Sequence, residues 1–359
     1  MITCLVQELQ YAVSAIAPTI GNETNGHAGI RIKTHSKKDR IRLSSTEGNF
    51  ATDIWIDGTV RKKLDFIVEG DRFAKYISKL DAKEATILLE DDALIVKSKR
   101  GKPTFKAYSP QTFPDLPRIN STVSFHLAGK VFKKLVGSVA FATKPEKKGS
   151  EQPLMEGINI LSDGNKLTFT TMNGFVIASC KKTVVTDEIE LTVAKKSLVN
   201  AAKLARDDDK VTIQAEASRL IVKHNDITYY IPVYSGSFPH IPMPKKDFMT
   251  SFSLDRLEIL GVLERGSTIL EEAGVIKGIL QVEKGKVIVE GETQRNHFNE
   301  SITTDVTGKK TKVTFDLKRL AEILRNVEAD RIVVGINTGK PVTIRGEGRS
   351  DHTCLLAVG

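Results

Sequence analysis

The sequence predicts an α+β protein built from three copies of one domain-sized unit, each with two helices and about six strands or more. Three observations predict it. A strand end followed by an amphipathic helix occurs three times. Val193 leads five residues later to Leu198, then Ala201, Ala202 and Ala205; Val68 leads to Phe73, Tyr76, Ile77 and Leu80; Phe315 leads to Leu320, Ile323, Leu324 and Val327. The i, i+3, i+4, i+7 spacing places each set on one buried helix face. The offsets, 125 and 122 residues, have the length of a domain rather than of a solenoid repeat. Finally, short alternating strands separated by turn residues recur around these helices in the same order.

The first unit opens with an amphipathic helix from Cys4 through Leu9 to Ala17, stopped by Pro18. A loop at Gly21–Gly26 follows. Gly29-Ile-Arg-Ile-Lys33, Arg40-Ile-Arg-Leu43 and Asp53-Ile-Trp-Ile-Asp-Gly58 alternate with period two and read as half-buried strands. The repeated helix spans 71–80, and strands follow at Ala85–Leu89, Ala93–Lys97 and Thr104–Tyr108. Gln111-Thr-Phe-Pro-Asp-Leu-Pro117 is a linker.

The second unit repeats this order. Its first helix spans Leu127–Phe141, with Val131, Phe132, Leu135, Val136 and Val139 on one face and Lys130, Lys134 and Gly137 opposite. Gly157-Ile-Asn-Ile160 answers Gly29-Ile-Arg-Ile32, and Leu167-Thr-Phe169 answers Ile41-Arg-Leu43. Val211–Ala215 and Leu220–Lys223 follow the second helix, and Ser235–Pro244 is the second linker. In the third unit a helix at Leu254–Arg265 precedes strands at Gly278–Gln281 and Lys286–Val289. The repeated helix spans about Leu317–Val327, and strands at Ile332–Val334, Val342–Ile344 and Cys354–Val358 complete the unit. The expected domains are residues 1–118, 119–244 and 245–359, with helices on one face of antiparallel sheets.

Composition narrows the function. Cys4, Cys180 and Cys354 lie far apart without CxxC spacing, which argues against a disulfide framework or a zinc site and fits a reducing cytoplasm. The segment from Met1 lacks a basic leader pattern, and no apolar run approaches a membrane span. The net charge of +9 is uneven: residues 1–120 carry an excess of +4, residues 121–245 of +5, and residues 246–359 of 0. A polyanionic partner should lean on the first two units. The outward faces of the repeated helices read Asp71, Lys75, Ser78; Lys196, Asn200, Lys203; and Lys318, Glu322, Arg325. Lys130 and Lys134 add to the second unit, and Lys144-Pro-Glu-Lys-Lys-Gly149 leads out of its first helix. Recurring lysines without a fixed aromatic or bidentate arginine pattern suit phosphates rather than base edges. GxSxG, HExxH and glycine-rich phosphate loops are absent, and Asp207-Asp-Asp209 follows a helix, where solvation is the expected role.

Three units of this order, joined by Phe113-Pro-Asp-Leu116 and Phe238-Pro-His240, with Thr170-Thr-Met-Asn-Gly-Phe-Val-Ile-Ala178 in the second, resemble the bacterial sliding clamps, the beta subunits of DNA polymerase III. The resemblance covers essentially the whole chain. It implies the DNA-clamp fold and a head-to-tail homodimer that closes a six-domain ring around double-stranded DNA without sequence specificity. It implies no cofactor and no catalysis, and a cytoplasmic, nucleoid-associated protein. It also implies a peptide groove between units two and three for a DNA polymerase catalytic subunit, a clamp loader and other clamp-motif proteins. Carried over, the groove comprises Met155, Met172, Gly174, Phe175, Val176 and Ile177, then Pro239 and Met243, then Ile276, Arg319, Val342, Leu355, Leu356, Ala357 and Val358. The closing interface comprises Phe105 and Ala107 on one copy and Ile269 and Leu270 on the other.

The chain departs from the family at several of these places. The family usually reads Thr-Asp-Gly-His-Arg-Leu at Met172-Asn-Gly-Phe-Val-Ile177, and Met-Pro-Met-Arg at Leu356-Ala-Val-Gly359. The groove should therefore be greasier, and a partner peptide should anchor with leucine or phenylalanine rather than with an acid. The family's DNA-contacting arginine aligns with Asn22, and its tyrosine pair with Pro153 and Leu154. DNA contact is accordingly expected from Arg72, Lys75, Lys130, Lys134, Lys144, Lys147, Lys148, Lys196 and Lys203. Such divergence suits a phage or plasmid clamp or a second clamp in one cell. The competing readings are a non-ring interaction scaffold of the same three domains and a nucleic-acid-modifying enzyme.

Overall fold

The computed structural model describes the chain except residues 22–28, 36, 38, 49, 122, 148, 245–246, 272–275 and 359. Six α-helices occur among the described residues: α1 (Val6–Ile16), α2 (Gly70–Ser78), α3 (Gly129–Gly137), α4 (Lys195–Leu204), α5 (Arg256–Ile269) and α6 (Leu317–Asn326). Each third of the chain repeats one order. A short strand feeds the first helix, three strands follow, a fourth feeds the second helix, and three more strands complete the third. Additional strands of two and three residues, Thr59–Val60 and Val306–Gly308, interrupt the outer thirds.

The opening strand of each third is where the sequence reading fails. It starts the first helices at Cys4, Leu127 and Leu254, whereas strands Ile2–Leu5, Val123–Ala128 and Thr250–Asp255 occupy those positions. Ile2 and Cys4, Phe125 and Leu127, and Phe252 and Leu254 are buried in alternation, a strand period too short to separate from a helix by pattern alone. Asp255 marks the true start of α5: its carboxylate accepts the Glu258 N–H at 2.9 Å. Further on, α3 stops at Gly137, and Ala140–Ala142 form a separate 3-10 turn.

The repeated helices bury the faces that their spacing selects. Phe73 and Ile77 of α2, Leu198 and Ala201 of α4, and Ile323 and Leu324 of α6 are fully enclosed. Lys75, Lys203 and Arg325 lie on the exposed side. Removing such a leucine or isoleucine face from water contributes roughly 1.5–3 kcal/mol per side chain, so packing outweighs the modest propensity of helices this short.

Contacts divide the chain into two compact units, residues 1–133 with 193–234 and residues 134–192 with 235–359. In the first, the strand Ile227–Tyr234 pairs antiparallel with Phe50–Asp57, setting Ile227 opposite Ile54 and Tyr230 opposite Ala51. In the second, His352–Leu356 pairs antiparallel with Val176–Thr183, setting His352 opposite Cys180 and Leu356 opposite Val176. Both joints obey one rule. The third strand after a repeat's first helix accepts the last strand of the next repeat. Gly129 illustrates the tightness of the first unit: a Cβ there would sit 1.8 Å from the Arg206 carbonyl oxygen. Among the described residues, no helix is long and apolar enough to cross a membrane.

Candidate functional site

The expected groove residues all belong to the second unit. Strands Lys166–Met172 and Val176–Thr183 form a hairpin with Met172 opposite Ile177. Its tip is fixed locally. The Asn173 Oδ1 accepts the N–H groups of Phe175 at 3.0 Å and Val176 at 2.9 Å. Gly174 lies at φ 92°, where a side chain would be strained. This tip presents the Phe175 ring, which is 52% exposed. From α6, the Arg319 guanidinium lies 3.3 Å from the ring centroid, while its Nε pairs with the Asp316 carboxylate at 3.3 Å. The Ala357 N–H donates to the Phe175 carbonyl at 2.8 Å, which ties the chain's last strand to the tip.

Burial divides the expected groove into surface and floor. Gly174, Phe175, Pro239 and Ala357 are exposed, and Met155, Met172, Ile177, Met243, Arg319 and Val358 are half-buried. Val176, Ile276, Val342, Leu355 and Leu356 are buried. Leu356 lies between Val176 and Val342 on adjacent strands. Together with Val342 it lines a small apolar pocket beside Phe252, Leu320 and Leu324. These side chains therefore support the surface from below. The linker runs close by: Gly236 approaches the Leu154 side chain, and the Pro244 carbonyl accepts Arg345 Nη2 at 2.8 Å.

Beneath the hairpin, Cys354 Sγ lies 3.4 Å from His352 Nε2. Burial raises the Cys180 and Cys354 thiols, and in the first unit pushes Cys4 up to about 12. Thiols held protonated in this way are poor nucleophiles. Asp207 is likewise occupied, its carboxylate bound by Lys133 at 2.7 Å and held below its usual range by that hydrogen bond and charge. Asp209 accepts the Arg206 N–H at 2.7 Å and Asn225 Nδ2 at 2.9 Å. Among the described residues, no three His, Cys, Asp or Glu side chains gather as a metal site.

The expected DNA-facing cations divide by their neighbours. In the first unit, Arg72 pairs with Glu69 at 3.1 Å and Lys75 with Asp71 at 2.5 Å. Lys130, Lys196 and Lys203 are exposed. In the second unit, Lys134 is bound to Asp351, Lys144 bonds to Gln152, and Lys147 is exposed. Burial alone would raise Asp351, but the Lys134 hydrogen bond and charge outweigh it and hold the carboxyl low. Lys148 and Asn22 lie outside the described residues. On the third repeat, Lys318 pairs with Glu271 at 2.5 Å and Arg325 with Glu264 at 2.7 Å. These pairs border a polar cleft of about 570 Å³ between α5 and α6.

The expected interface residues also separate. In the first unit, Phe105 packs edge-on against Phe73 and Tyr76, with centroids 5.6 and 5.7 Å away, and Ala107 is buried. Their strand, Thr104–Tyr108, pairs with Ala93–Lys97, and Tyr108 is 46% exposed. In the second unit, His297–Thr303 is the terminal strand of a four-stranded sheet. Ile269 is exposed beside it, its carbonyl accepting Asn296 Nδ2 at 3.2 Å. Leu270 instead points into its own unit's core, so close to Gly291 that a Cβ there would meet it at 2.3 Å.

Residues 126–240 match the family described as DNA polymerase III beta subunit, central domain. Over 343 residues, 90% of each chain, the sequence is 20% identical to the beta sliding clamp of Staphylococcus aureus. The fold is similar to a DNA polymerase III beta subunit of Thermotoga maritima, with a TM-score of 0.90 and 17% identity over 100% of this chain and 98% of that one. A Pseudomonas aeruginosa sliding clamp bound to griselimycin gives 0.91 and 14% over 99% and 98%.

Proposed function

We propose that this chain is a divergent member of the beta sliding clamp family and serves as a processivity factor, a reading supported by the match of residues 126–240 and by the whole-length similarity to a beta sliding clamp. Two copies, each of three domains over residues 1–118, 119–244 and 245–359, close a ring around duplex DNA and tether a polymerase to it. The protein acts by holding, not by catalysis.

The observation that carries the ring is the joint rule. The first repeat's third strand takes the second repeat's last, and the second repeat's third takes the third repeat's last. Left over are one last strand, Thr104–Tyr108, and one third strand, His297–Thr303. Exposed strand edges invite pairing with another chain. If these two pair between copies, two copies complete the set, and the rotation closes instead of running into a filament. Tyr108 and Ile269, both exposed at these strands, then become buried. Cations on the helices, Lys130, Lys196 and Lys203 foremost, face phosphates. Contact of that kind ignores sequence and permits sliding. The Phe175 surface takes peptides from the polymerase catalytic subunit, a clamp loader and other partners in turn.

Sedimentation and topological retention test this reading. The protein should run at about twice 39.5 kDa. Once loaded, it should stay on nicked circular DNA and run off when the circle is cut. A monomer, or retention indifferent to linearisation, would contradict the ring.

A further inference from the structure

We infer that the outward face of the first repeat's sheet carries a site for single-stranded DNA. It is a basic strip, Lys37 with Arg61–Lys63, beside the rings of His35 and Trp55. The strip belongs neither to the helix faces nor to the peptide surface.

Charge singles it out. Residues 31–42 hold six basic side chains and one acid, and residues 61–63 hold three basic side chains and no acid. The remaining residues of 1–120 hold 10 basic and 14 acidic side chains. The positive excess of the first repeat therefore comes from these two segments. It does not come from α2, where Arg72 and Lys75 are paired.

Strand register brings the two segments together. Ile32, Ile41 and Ile54 are buried on the side of the sheet where α1 packs, so their alternates point outward. On that outward face Arg42 lies between Lys33 and Trp55, and His35 lies opposite Arg40. Asp65 lies opposite Lys33, and two residues earlier Lys63 falls beside His35. The Thr34 N–H donates to the Leu64 carbonyl at 2.9 Å, and the Leu64 N–H to Thr34 Oγ1 at 2.8 Å. The Arg61 N–H donates to the Met1 carbonyl at 3.0 Å, and the Gly58 N–H to the Asp39 carbonyl at 3.0 Å. Hairpin tip and loop are thus fixed against each other, and little ordering remains to oppose binding.

The neighbouring cations are already neutralised. Arg31 and Lys33 pair with Asp65, Arg40 with Asp57 and Asp226, and Arg42 with Asp53. Lys37, Arg61, Lys62 and Lys63 are exposed and form no ion pair among the described residues. Four such cations on a fixed backbone attract a chain of phosphates. The rings decide which chain. Arg42 lies over the Trp55 ring at 5.5 Å, and His35 meets it edge-on at 6.3 Å. Both rings are half-buried and keep part of their surface in solvent. Unstacked bases of a single strand can settle on them. A duplex keeps its bases inside, and an acidic peptide has none.

Trp55, the single tryptophan, reports binding at this place directly. An unlabelled oligothymidine of about 20 nucleotides, longer than one such site, should quench its fluorescence when titrated into the full chain at low salt. Arg61→Gln, Lys62→Gln and Lys63→Gln together should weaken binding at least tenfold. They should also make the log–log salt slope shallower by about two, the loss of three contacts. Arg61→Lys, which keeps the charge, should bind like wild type, and Lys196→Gln with Lys203→Gln should leave the quench unchanged. Circular dichroism and melting temperature control for folding. No quench in wild type, or full affinity in the triple variant, would overturn the site. Equal affinity for a duplex of the same length, or for a polyglutamate peptide of the same charge, would overturn its assignment to single-stranded DNA.

Discussion

Helices α4 and α6 hold the same place in successive repeats and bury the same face, yet their outward surfaces differ in kind. The ten residues of α4, KKSLVNAAKL, include no acid, and Lys196 and Lys203 project from it. On α6, Lys318 is bound by Glu271 and Arg325 by Glu264, and Glu322 stands between them. The buried face must match a sheet, so its spacing recurs. The exposed face answers only to solvent and partners, and it can change one residue at a time without disturbing the fold. Repeats that look alike inside can thus present different surfaces to a partner.

The largest effect should come from reversing charge on one helix and not the other. Lys196→Glu with Lys203→Glu should cut DNA retention by an order of magnitude or more and lower the salt slope by about two contacts. Lys318→Glu with Arg325→Glu should do much less, because residues 246–359 carry no net positive charge. Equal losses, measured as dissociation from nicked circles across a salt series, would break the comparison.

How far this division could be read from the sequence depends on the range of the interaction. The three helix faces were legible because four apolar side chains at fixed spacing carry them. The net charge of 0 on residues 246–359 hinted at a neutral third repeat. The pairs that neutralise it were not legible, because Lys318 and Glu271 meet 47 residues apart and Arg325 and Glu264 meet 61 apart. The groove shows the same limit. Phe175 is legible only through the family resemblance at Thr170–Ala178, and its stacking on Arg319 depends on tertiary structure that no local pattern announces. Leu355 and Leu356 read as part of a final apolar strand, but that they lie mid-sheet follows only from the pairing of His352–Leu356 on both sides.

The next effect sharpens the comparison at the strand edges. The third strand of the second repeat is covered by His352–Leu356, whereas the third strand of the third repeat is terminal in its sheet. Ile269→Asp should leave a folded monomer in sedimentation, because the exposed side chain is not needed by its own unit. Leu270→Asp should instead unfold that unit, since a charge buried without a partner costs on the order of 3–5 kcal/mol. A stable dimer with Ile269→Asp would place the closing contact elsewhere.

Acid should act on both units through one buried histidine in each. Burial lowers His224, partly opposed by the Asp209 carboxylate 3.7 Å away, and burial lowers His352 beside Asp351, Lys134 and Glu328. Each folded value lies below the ordinary 6.5. Between the two values only the unfolded chain takes the proton. The stabilisation is therefore complete above pH ~6.5 and declines below it, by at most about 1.4 kcal/mol per pH unit per histidine. Trp55, the single tryptophan, lies in the same unit as His224 and reports on melting there. His224→Gln should flatten the fall in that melting temperature between pH 7.5 and 5.5, if the variant folds at neutral pH. An unchanged slope would remove His224 from the account.

The smallest effect separates two hairpin tips at equivalent places. In the second repeat, Asn173 caps the tip that presents Phe175. In the third, Thr293 Oγ1 accepts the N–H groups of Arg295 at 3.3 Å and Asn296 at 3.0 Å, and the tip leads into the terminal strand. Both are local side-chain caps on exposed turns, so Asn173→Ala and Thr293→Ala should each cost only about 0.5–1.5 kcal/mol of stability. Their effects on binding should differ. Loosening Asn173 lets the Phe175 ring wander from Arg319, so peptide affinity should fall several-fold while dimer mass stays constant. Loosening Thr293 should leave peptide affinity alone and weaken the dimer instead, because Asn296, held by that cap, also anchors the Ile269 carbonyl. Peptide titration and sedimentation of the two variants side by side would show whether one turn design serves two different contacts. Equal loss of peptide affinity in both would mean that the tips act through general stability and not through the surfaces they present.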